Sequence, residues 1–447
     1  MQSEWAKPEA ISELLARHGG SIKTGPFGTT LKASEYASVG VPLISVREIG
    51  HGSFHVDAKT PRVDAATLAR LPEYILEEGD IVFARKGGIE RCALVRKQQA
   101  GWFLGSDGIR LRPPKVCDAR FLAYSLQTQA VKDWLVQHST GSTMASLNQS
   151  TIGRLPVAFP SVSTQRAVAD TLEFFDDRID LLRQTNATLE SIAQALFKSW
   201  FIDFDPVRAK AEGREPLGLD AATAALFPAE FEESALGVIP KGWTVQPIGD
   251  LVETVGGSTP DTKNEAFWEP AAHHWTSPKD LSGATAPVLL GTERKVSAAG
   301  LAKISSGLLP VGTLLMSSRA PIGYLSLTQV PVAINQGYIA MPPGGRLPPE
   351  YMYFWCQHNM DAIKGRANGS TFMEISKKAF RPIPSLLPAL EVIARFTDFA
   401  AMTFERITMN ERQALALVEL RNTLLPRLIS GKLRLPEAQE QLADVLA

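Results

Sequence analysis

Gly141-Ser142-Thr143 occurs a second time as Gly369-Ser370-Thr371, 228 residues further along the chain. The same shift, without a gap, matches a series of positions that follow both copies. These pairs are Leu147/Ile375, Pro156/Pro384, Pro160/Pro388, Asp170/Asp398, Arg178/Arg406, Ile179/Ile407, Leu189/Leu417 and Leu196/Leu424. Solenoid repeats have periods of about 20 to 50 residues, so this much longer period indicates a duplicated domain. The sequence predicts two similar units in one chain.

Each unit begins with a part rich in glycine, proline and short apolar runs. Such runs indicate short strands, and we expect an irregular α+β domain. The similarity between the copies is looser here, where residues 79–85 resemble residues 312–319. This match places Arg85 and Arg319 at equivalent positions of two domains of the same fold.

Each unit ends in a long helix. In the first copy, apolar side chains recur in steps of four and three between residues 168 and 200, with Asn186 as the one polar interruption. No proline or glycine occurs between residues 163 and 205. This pattern is typical of the apolar seam of a coiled coil.

The second copy of the helix, about residues 390–428, is less regular because Thr403, Asn410 and Arg421 interrupt it. Packing inside a helical bundle is an alternative explanation for such a stripe. Two long helices at equivalent places of a duplicated chain favour each other as partners in an antiparallel coiled coil. The side chains that we expect in this coiled coil and in partner docking are Leu172, Phe175, Ile179, Leu182, Leu189, Leu196, Trp200, Ile407, Leu417 and Leu424.

Composition limits the classes of protein to consider. The 447 residues are 45% hydrophobic and 21% charged, which is typical of a soluble protein with more than one domain. No stretch approaches the roughly 20 apolar residues that span a bilayer, and the N-terminus has no secretory signal. Cys92, Cys117 and Cys356 include no Cys-x-x-Cys pair. We therefore expect a cytoplasmic protein without a disulfide framework or a zinc site.

Charge alternates along the chain. Residues 1–160 have a net charge of +4 and residues 240–388 of +3, whereas residues 161–239 have −7 and residues 389–447 have −1. The basic segments permit contact with DNA and the acidic ones contact with protein, although neither is required.

Several stretches resemble the specificity subunits of type I restriction–modification systems, and the resemblance covers nearly the whole chain. The most specific stretch closes the central helix and reads Ala195-Leu196-Phe197-Lys198-Ser199-Trp200-Phe201-Ile202-Asp203-Phe204-Asp205-Pro206-Val207-Arg208-Ala209-Lys210. Residues 239–243 at the start of the second domain add to it. So do residues 23–29 near the start of the chain, 79–82, 155–165 leading into the first helix and 424–433 at the end of the second.

The resemblance implies two α+β target-recognition domains separated by two long helices that form an antiparallel coiled coil, with a pseudo-twofold internal repeat. Each domain would read a few base pairs of a bipartite, asymmetric DNA target. The chain itself would be non-catalytic and would dock two methyltransferase subunits, which restriction subunits would join for defence against phage. S-adenosylmethionine for adenine methylation, together with ATP and Mg²⁺, would belong to those partner subunits.

This reading predicts domain boundaries. A helix of about 35 residues is about 50 Å long, which is comparable with the roughly 34–36 Å between the half-sites of dimeric DNA-binding proteins. The predicted segments are 1–160 (first target-recognition domain), 161–205 (central spacer helix), 206–239 (linker), 240–388 (second target-recognition domain), 389–432 (C-terminal spacer helix) and 433–447 (tail).

Base reading requires hydrogen-bond donors and acceptors, whereas lysine and arginine also position the phosphate backbone. The candidate DNA-binding residues of the first domain are Lys23, Thr24, Thr29, Thr30, Arg85, Lys86 and Arg91. Those of the second domain are Ser258, Thr259, Lys263, Ser317, Ser318 and Arg319. The Gly-Ser-Thr turns at 141–143 and 369–371 are candidates for phosphate contact through backbone N–H groups. Chain reversal alone is the alternative explanation for each glycine turn.

Two other functions remain open. The first is a duplicated structural adaptor that binds protein without DNA specificity. The second is a nuclease, because Asp261, Glu293 and Lys295 loosely match a metal-dependent site. A methyltransferase or an ATP-driven motor is disfavoured. The three Pro-Pro pairs lack the Asn or Asp before them and the aromatic residue after them, and the single Gly-Lys pair is followed by Leu433 and not by Ser or Thr.

Overall fold

The computed structural model describes residues 7–141, 145–369 and 373–438. The chain divides into two compact units: one combines the residues up to Ile179 with those from Ala416 onward, and the other is Asp180–Leu415. The prediction of two α+β domains and two long helices is confirmed. None of the helices in the described residues is both long and apolar enough to cross a bilayer.

The first domain is built from short strands and helices. Its strands are β1 (Glu9–Ala10), β2 (Ser21–Thr24), β3 (Val41–Ile44), β4 (Arg62–Val63), β5 (Ile81–Ala84), β6 (Cys92–Leu94), β7 (Phe103–Leu104), β8 (Gly108–Arg112) and β9 (Pro156–Val157). Its helices are α1 (Ile11–His18), α2 (Ala65–Arg70), α3 (Ala119–Leu126), α4 (Gln129–Gln137) and α5 (Gln149–Gly153). β2-β8-β5-β6 form one sheet and β4-β3-β7 another. All of β5 is buried, as its uninterrupted apolar run requires.

The first long helix, α6 (Val162–Phe201), is followed by a structured connection. The residues predicted to be a linker contain short helices and a hairpin of two antiparallel strands. These elements are α7 (Asp205–Ala211), α8 (Ala221–Ala225), β10 (Phe231–Ser234) and β11 (Gly237–Pro240). Buried Phe227 packs edge-on against Trp200 of α6, with ring centroids 5.1 Å apart. The connection therefore folds back on the end of the helix.

The second domain repeats the first. Its strands are β12 (Thr244–Pro247), β13 (His273–Thr276), β14 (Val288–Leu289), β15 (Arg294–Val296), β16 (Leu314–Ser317), β17 (Leu325–Thr328), β18 (Val332–Ile334), β19 (Tyr338–Met341) and β20 (Pro384–Leu387). Its helices are α9 (Ile248–Leu251), α10 (Pro278–Leu281), α11 (Ala298–Leu301), α12 (Pro349–His358), α13 (Met360–Lys364) and α14 (Lys377–Phe380), and the long helix α15 (Leu390–Ile429) follows. β14-β17-β16-β19 and β15-β13-β18 form its two main sheets.

Matching backbone hydrogen bonds fix which residues are equivalent in the two domains. The Arg85 N–H donates to the Asp107 carbonyl and the Ser318 N–H to the Gly337 carbonyl, both at 2.8 Å. The Arg85 carbonyl accepts from Leu147 N–H, and the Ser318 carbonyl accepts from Ile375 N–H. Arg85 therefore corresponds to Ser318, and the predicted equivalence of Arg85 and Arg319 is wrong by one residue. The difference in residue number between equivalent positions changes along the chain, because the loops of the two copies differ in length.

By the same bonds, Arg319 is the equivalent of Lys86. Lys86 forms a backbone bridge with Ser146, and Arg319 forms the corresponding bridge with Glu374. Both domains thus carry a basic residue at this position, directly after Arg85 in the first domain and directly after Ser318 in the second.

Charged and polar side chains hold the first domain on α6. The Arg120 guanidinium of α3 donates to Asp170 at 2.7 Å and to Glu173 at 2.8 Å. One turn further, the Tyr124 hydroxyl donates to Asp176 at 2.6 Å. Burial and the Asp176 charge raise the pKa of Tyr124. These contacts join a helix of the first domain directly to the long helix.

The second domain uses a related contact. The Tyr353 hydroxyl of α12 donates to Glu190 of α6 at 2.6 Å, and the Gln357 amide donates to the same carboxylate oxygen at 2.7 Å. Burial, and then the charge of Glu190, raise the pKa of Tyr353. A tyrosine on the helix after the main sheet therefore attaches each domain to α6.

The long helices pack through the apolar positions of the predicted heptads. Within the second unit they run antiparallel: Phe197 packs on Phe396, and Asn186, earlier on α6, contacts Asn410, later on α15. Buried seam side chains are Leu172, Phe175, Ile179, Leu417 and Leu424 in the first unit and Leu182, Trp200 and Ile407 in the second. Leu189 and Leu196 are partly buried.

Candidate nucleic-acid interface

In the first domain, the loop after β2 meets the turn after β5 at one edge of the sheet. The Gly25 N–H donates to the Gly108 carbonyl at 3.0 Å. A Cβ atom on Gly25 would lie 1.8 Å from the Gly105 carbonyl oxygen, so only glycine allows this approach. The loop then presents Phe27, which is 63% exposed, beside Arg85, whose guanidinium carbon lies 5.7 Å from the ring centroid.

We call Phe27, Arg85, Lys86 and Asp107 the first tip. Lys86 Nζ lies 3.9 Å from the Asp107 carboxylate. Burial, and then the Asp107 charge, raise the pKa of the nearby Tyr36. Among the described residues, the Arg85 guanidinium has no hydrogen-bond acceptor. The first tip therefore offers a cation and an apolar ring to a ligand.

The other residues predicted to bind DNA in the first domain have different surroundings. Lys23 Nζ lies 4.6 Å from the centroid of the Tyr74 ring and 3.8 Å from Glu73. Thr24 pairs with the Gln149 amide at 3.1 Å. These two residues thus have partners within the domain.

Arg91 is the clearest case of a structural role. Its guanidinium donates to the carbonyls of Ile49 at 3.0 Å and Gly87 at 2.8 Å, so it shapes the turn after β5. Thr30 accepts a bond from an arginine of α2 through its backbone carbonyl, whereas Thr29 is exposed next to the first tip.

The second domain builds the corresponding edge from different side chains. A Cβ atom on Gly257 would lie 1.8 Å from the Ile334 carbonyl oxygen, which repeats the approach made by Gly25. The Ser258 hydroxyl donates to the Lys303 carbonyl at 3.0 Å. The Thr259 hydroxyl donates to Gln336 Oε1 at 2.7 Å. We call Ser258, Thr259, Arg319 and Gln336 the second tip.

The remaining residues predicted in the second domain divide into buried and exposed ones. Ser317 is fully buried, and its hydroxyl donates to the Pro321 carbonyl at 2.7 Å. Ser318 is also buried, so neither hydroxyl reaches the surface. Lys263 is exposed. The Arg319 guanidinium lies 3.6 Å from the Glu374 carboxylate at the surface.

Four residues on these edges were not among those predicted from the sequence: Phe27, Gln336, Lys303 and Lys377. Lys377 Nζ would lie 3.3 Å from a Cβ atom on Gly256, just before the second tip. These side chains come from segments far apart in the chain, so no local motif could bring them together. The one sequence signal available for Phe27 was its place in a loop between Gly25 and Gly28.

Two predictions fall elsewhere. Ser142, Thr143, Ser370 and Thr371 lie outside the described residues, so their predicted phosphate contacts stay predictions. In the nuclease alternative, the Glu293 carboxylate lies 3.3 Å from Lys279. No group of three His, Cys, Asp or Glu side chains that could hold a metal ion occurs in the described ranges.

Two domains of one fold, each with a polar and basic loop edge, and both joined to long helices, define a class of DNA-specificity protein. A family model described as the type I restriction modification DNA specificity domain matches residues 27–191 and again residues 240–413. The chain belongs to this family.

Named relatives agree with this assignment. The type I restriction enzyme HindI specificity subunit of Haemophilus influenzae is 29% identical over 403 residues, covering 80% of this chain and 87% of that protein. The MjaIX specificity subunit of Methanocaldococcus jannaschii is 23% identical over 428 residues, 94% and 92% of the two chains. The crystal structure of an S subunit from M. genitalium has the same fold, with a TM-score of 0.56, 16% identity and coverage of 95% and 96%.

Proposed function

We propose that each domain reads one part of a split, asymmetric DNA target, and that the chain directs partner subunits to it without catalysis of its own. The observation that carries this proposal is the pair of tips: one backbone arrangement presents Phe27 and Arg85 in one domain, and Thr259 and Gln336 in the other. A shared scaffold with unlike side chains suits the reading of two unlike sequences.

Basic residues beside the tips support contact with the phosphate backbone. Lys86 belongs to the first tip, and Lys303 and Lys377 flank the second. The first and second domains have net charges of +4 and +3 within the predicted boundaries. Phosphate contacts of this kind position a protein on DNA, and base contacts then provide the specificity.

The long helices are the proposed docking surface for methyltransferase subunits. Ile192 and Met402 are more than half exposed although both are large and apolar. They line a groove of about 500 Å³ together with Trp200, Leu219 and Phe399. Exposed apolar surface of this kind commonly marks a protein interface. Most of the heptad residues are buried in the seam, so we assign docking to the outward faces and to the groove that Trp200 lines.

The partners would supply the chemistry. We propose that methyltransferase subunits bind S-adenosylmethionine and methylate adenine, and that restriction subunits use ATP and Mg²⁺ to cleave unmodified DNA. The proposed methylation and cleavage of DNA also favour a cytoplasmic location for this chain. The named relatives are specificity subunits of restriction enzymes, which supports these roles.

Adenine-methylation mapping tests the proposal. Cells that express the whole complex would be compared with cells that lack only this chain. We expect one split, asymmetric motif to lose its methylation in the deletion strain and to regain it when the chain is restored. An unchanged methylome would refute the proposal and favour the structural adaptor.

A further inference from the structure

Gln336 is an exposed amide that the surrounding backbone holds in place. It lies between Asn335, whose N–H donates to the Thr276 carbonyl at 3.0 Å, and Gly337, whose N–H donates to Asn335 Oδ1 at 2.8 Å. The Gly337 carbonyl also accepts from Ser318 N–H. The residues on both sides of Gln336 are thus fixed, and its side chain projects from a rigid turn.

Thr259 fixes the side chain as well. Its hydroxyl donates to Gln336 Oε1 at 2.7 Å. This bond occupies one of the two lone pairs of the oxygen and anchors the amide against the neighbouring loop. Nε2 has no acceptor among the described residues, so its two N–H groups can bind a ligand. The amide therefore presents one donor and one acceptor in a fixed orientation.

This donor–acceptor pair matches one base edge in the major groove. Adenine offers the N7 acceptor and the N6–H donor side by side, and a glutamine amide pairs with both. Guanine offers two acceptors, N7 and O6, which an arginine or lysine matches better. We propose that Gln336 reads an adenine in the part of the target recognised by the second domain, with Nε2 donating to N7 and Oε1 accepting from N6–H.

The surroundings suit this role. Arg319 follows Ser318, which is bonded to the turn of Gln336, and the Lys303 carbonyl holds the neighbouring Ser258. These basic residues place positive charge near the turn of Gln336, which favours contact with the phosphate backbone. The inference rests on the proposed function, because it requires that the second domain reads DNA.

The test is methylome mapping of the whole complex with single substitutions. We expect Gln336→Ala to relax the motif at one A·T pair in one half of the target, with preference for that pair falling about 5- to 150-fold. Gln336→Glu offers two acceptors and should favour cytosine at that position, because its N4–H₂ is a donor. Thr259→Val should relax the same position more weakly, because the amide is kept but loses its orientation.

Gln246→Ala is the matched control. Gln246 also pairs with a threonine, Thr244 at 3.2 Å, but lies on β12, which pairs with β20 outside the main sheets. The unaltered half of the motif is the internal control for folding and assembly. Lower methylation with an unchanged motif would overturn the inference. If deletion of the whole chain changed nothing, the proposed function would fail first, so the two failures are distinguishable.

Discussion

Asn410 donates a hydrogen bond to Asn186, from Nδ2 to Oδ1 at 2.8 Å, inside the apolar seam of the two long helices. Both residues interrupted the heptad pattern in the sequence, and both are buried, at 2% and 3% exposure. A lone polar residue in such a seam costs stability but specifies the register of the helices. The pair therefore sets the alignment of α6 with α15.

The contribution of this pair can be separated from simple burial. Asn410→Leu should lower the free energy of unfolding by about 1–3 kcal/mol, because it leaves the buried Oδ1 of Asn186 without a hydrogen-bond donor. The double substitution Asn186→Leu with Asn410→Leu should regain this stability or exceed it. Urea unfolding of the variants measures both effects, with Thr188→Leu on the exposed face of α6 as the control. If Asn410→Leu were as stable as the unaltered chain, the hydrogen bond between the two asparagines would not contribute to stability.

The first tip should show the difference between reading and positioning. Arg85→Ala is expected to cost about 1–3 kcal/mol of discrimination at one base pair in one half of the target. Lys86→Ala should weaken binding to all sequences alike and reduce the salt slope by about 1. The measurement is DNA binding by the assembled complex over a salt series. Lys115→Ala, beyond the other end of β8, is the control. If Lys86→Ala changed the recognised motif, Lys86 would be a base-reading residue and the prediction would be wrong.

Acid should loosen the attachment of the first domain. Burial alone would raise the pKa of Asp118, but bonds from Arg120 and from backbone N–H groups hold this pKa below its ordinary value of 3.8. Because the pKa is depressed by folding, its stabilising effect is present above pH 3.8 and is lost as the pH falls through the folded-state pKa. Arg120→Met should lower stability at pH 7 and flatten the acid-side decline. Unfolding midpoints from pH 7 to pH 2 test this, and parallel curves would count against it.

The three thiols should be unreactive in the folded protein. Cys92, Cys117 and Cys356 are all buried. Burial raises the pKa of Cys92 and of Cys117 to about 12, so almost no thiolate is present at pH 8. A chromogenic disulfide reagent should react with none of them in native buffer and with all three in denaturant. Rapid reaction of one thiol without denaturant would show local opening of its domain.

Regular patterns made part of this structure predictable. The duplication and both long helices follow from spacing that extends over tens of residues, and single substitutions do not obscure it. The equivalence of Arg85 and Arg319 failed because it rested on a short match beside loops of unequal length. Backbone hydrogen bonds, which the sequence does not display, place Ser318 there.

The tips were only partly predictable. Ser317 fitted the pattern of a polar residue at a strand end, but its hydroxyl is buried within its own turn. Gln336 was missed because its partner, Thr259, is 77 residues away. A sequence read locally shows which residues can hydrogen-bond, whereas tertiary packing decides which of them remain exposed.

The asparagine pair has a consequence for chain pairing. By the repeat of 228 residues, Asn410 corresponds to Leu182 and Asn186 corresponds to Ala414. In a homodimer of first halves with the same helix alignment, Asn186 would face Leu182 and its buried Oδ1 would lack a hydrogen-bond donor. The seam is thus heterospecific: if the chain were cut between its two copies, each half would prefer the other to a second copy of itself.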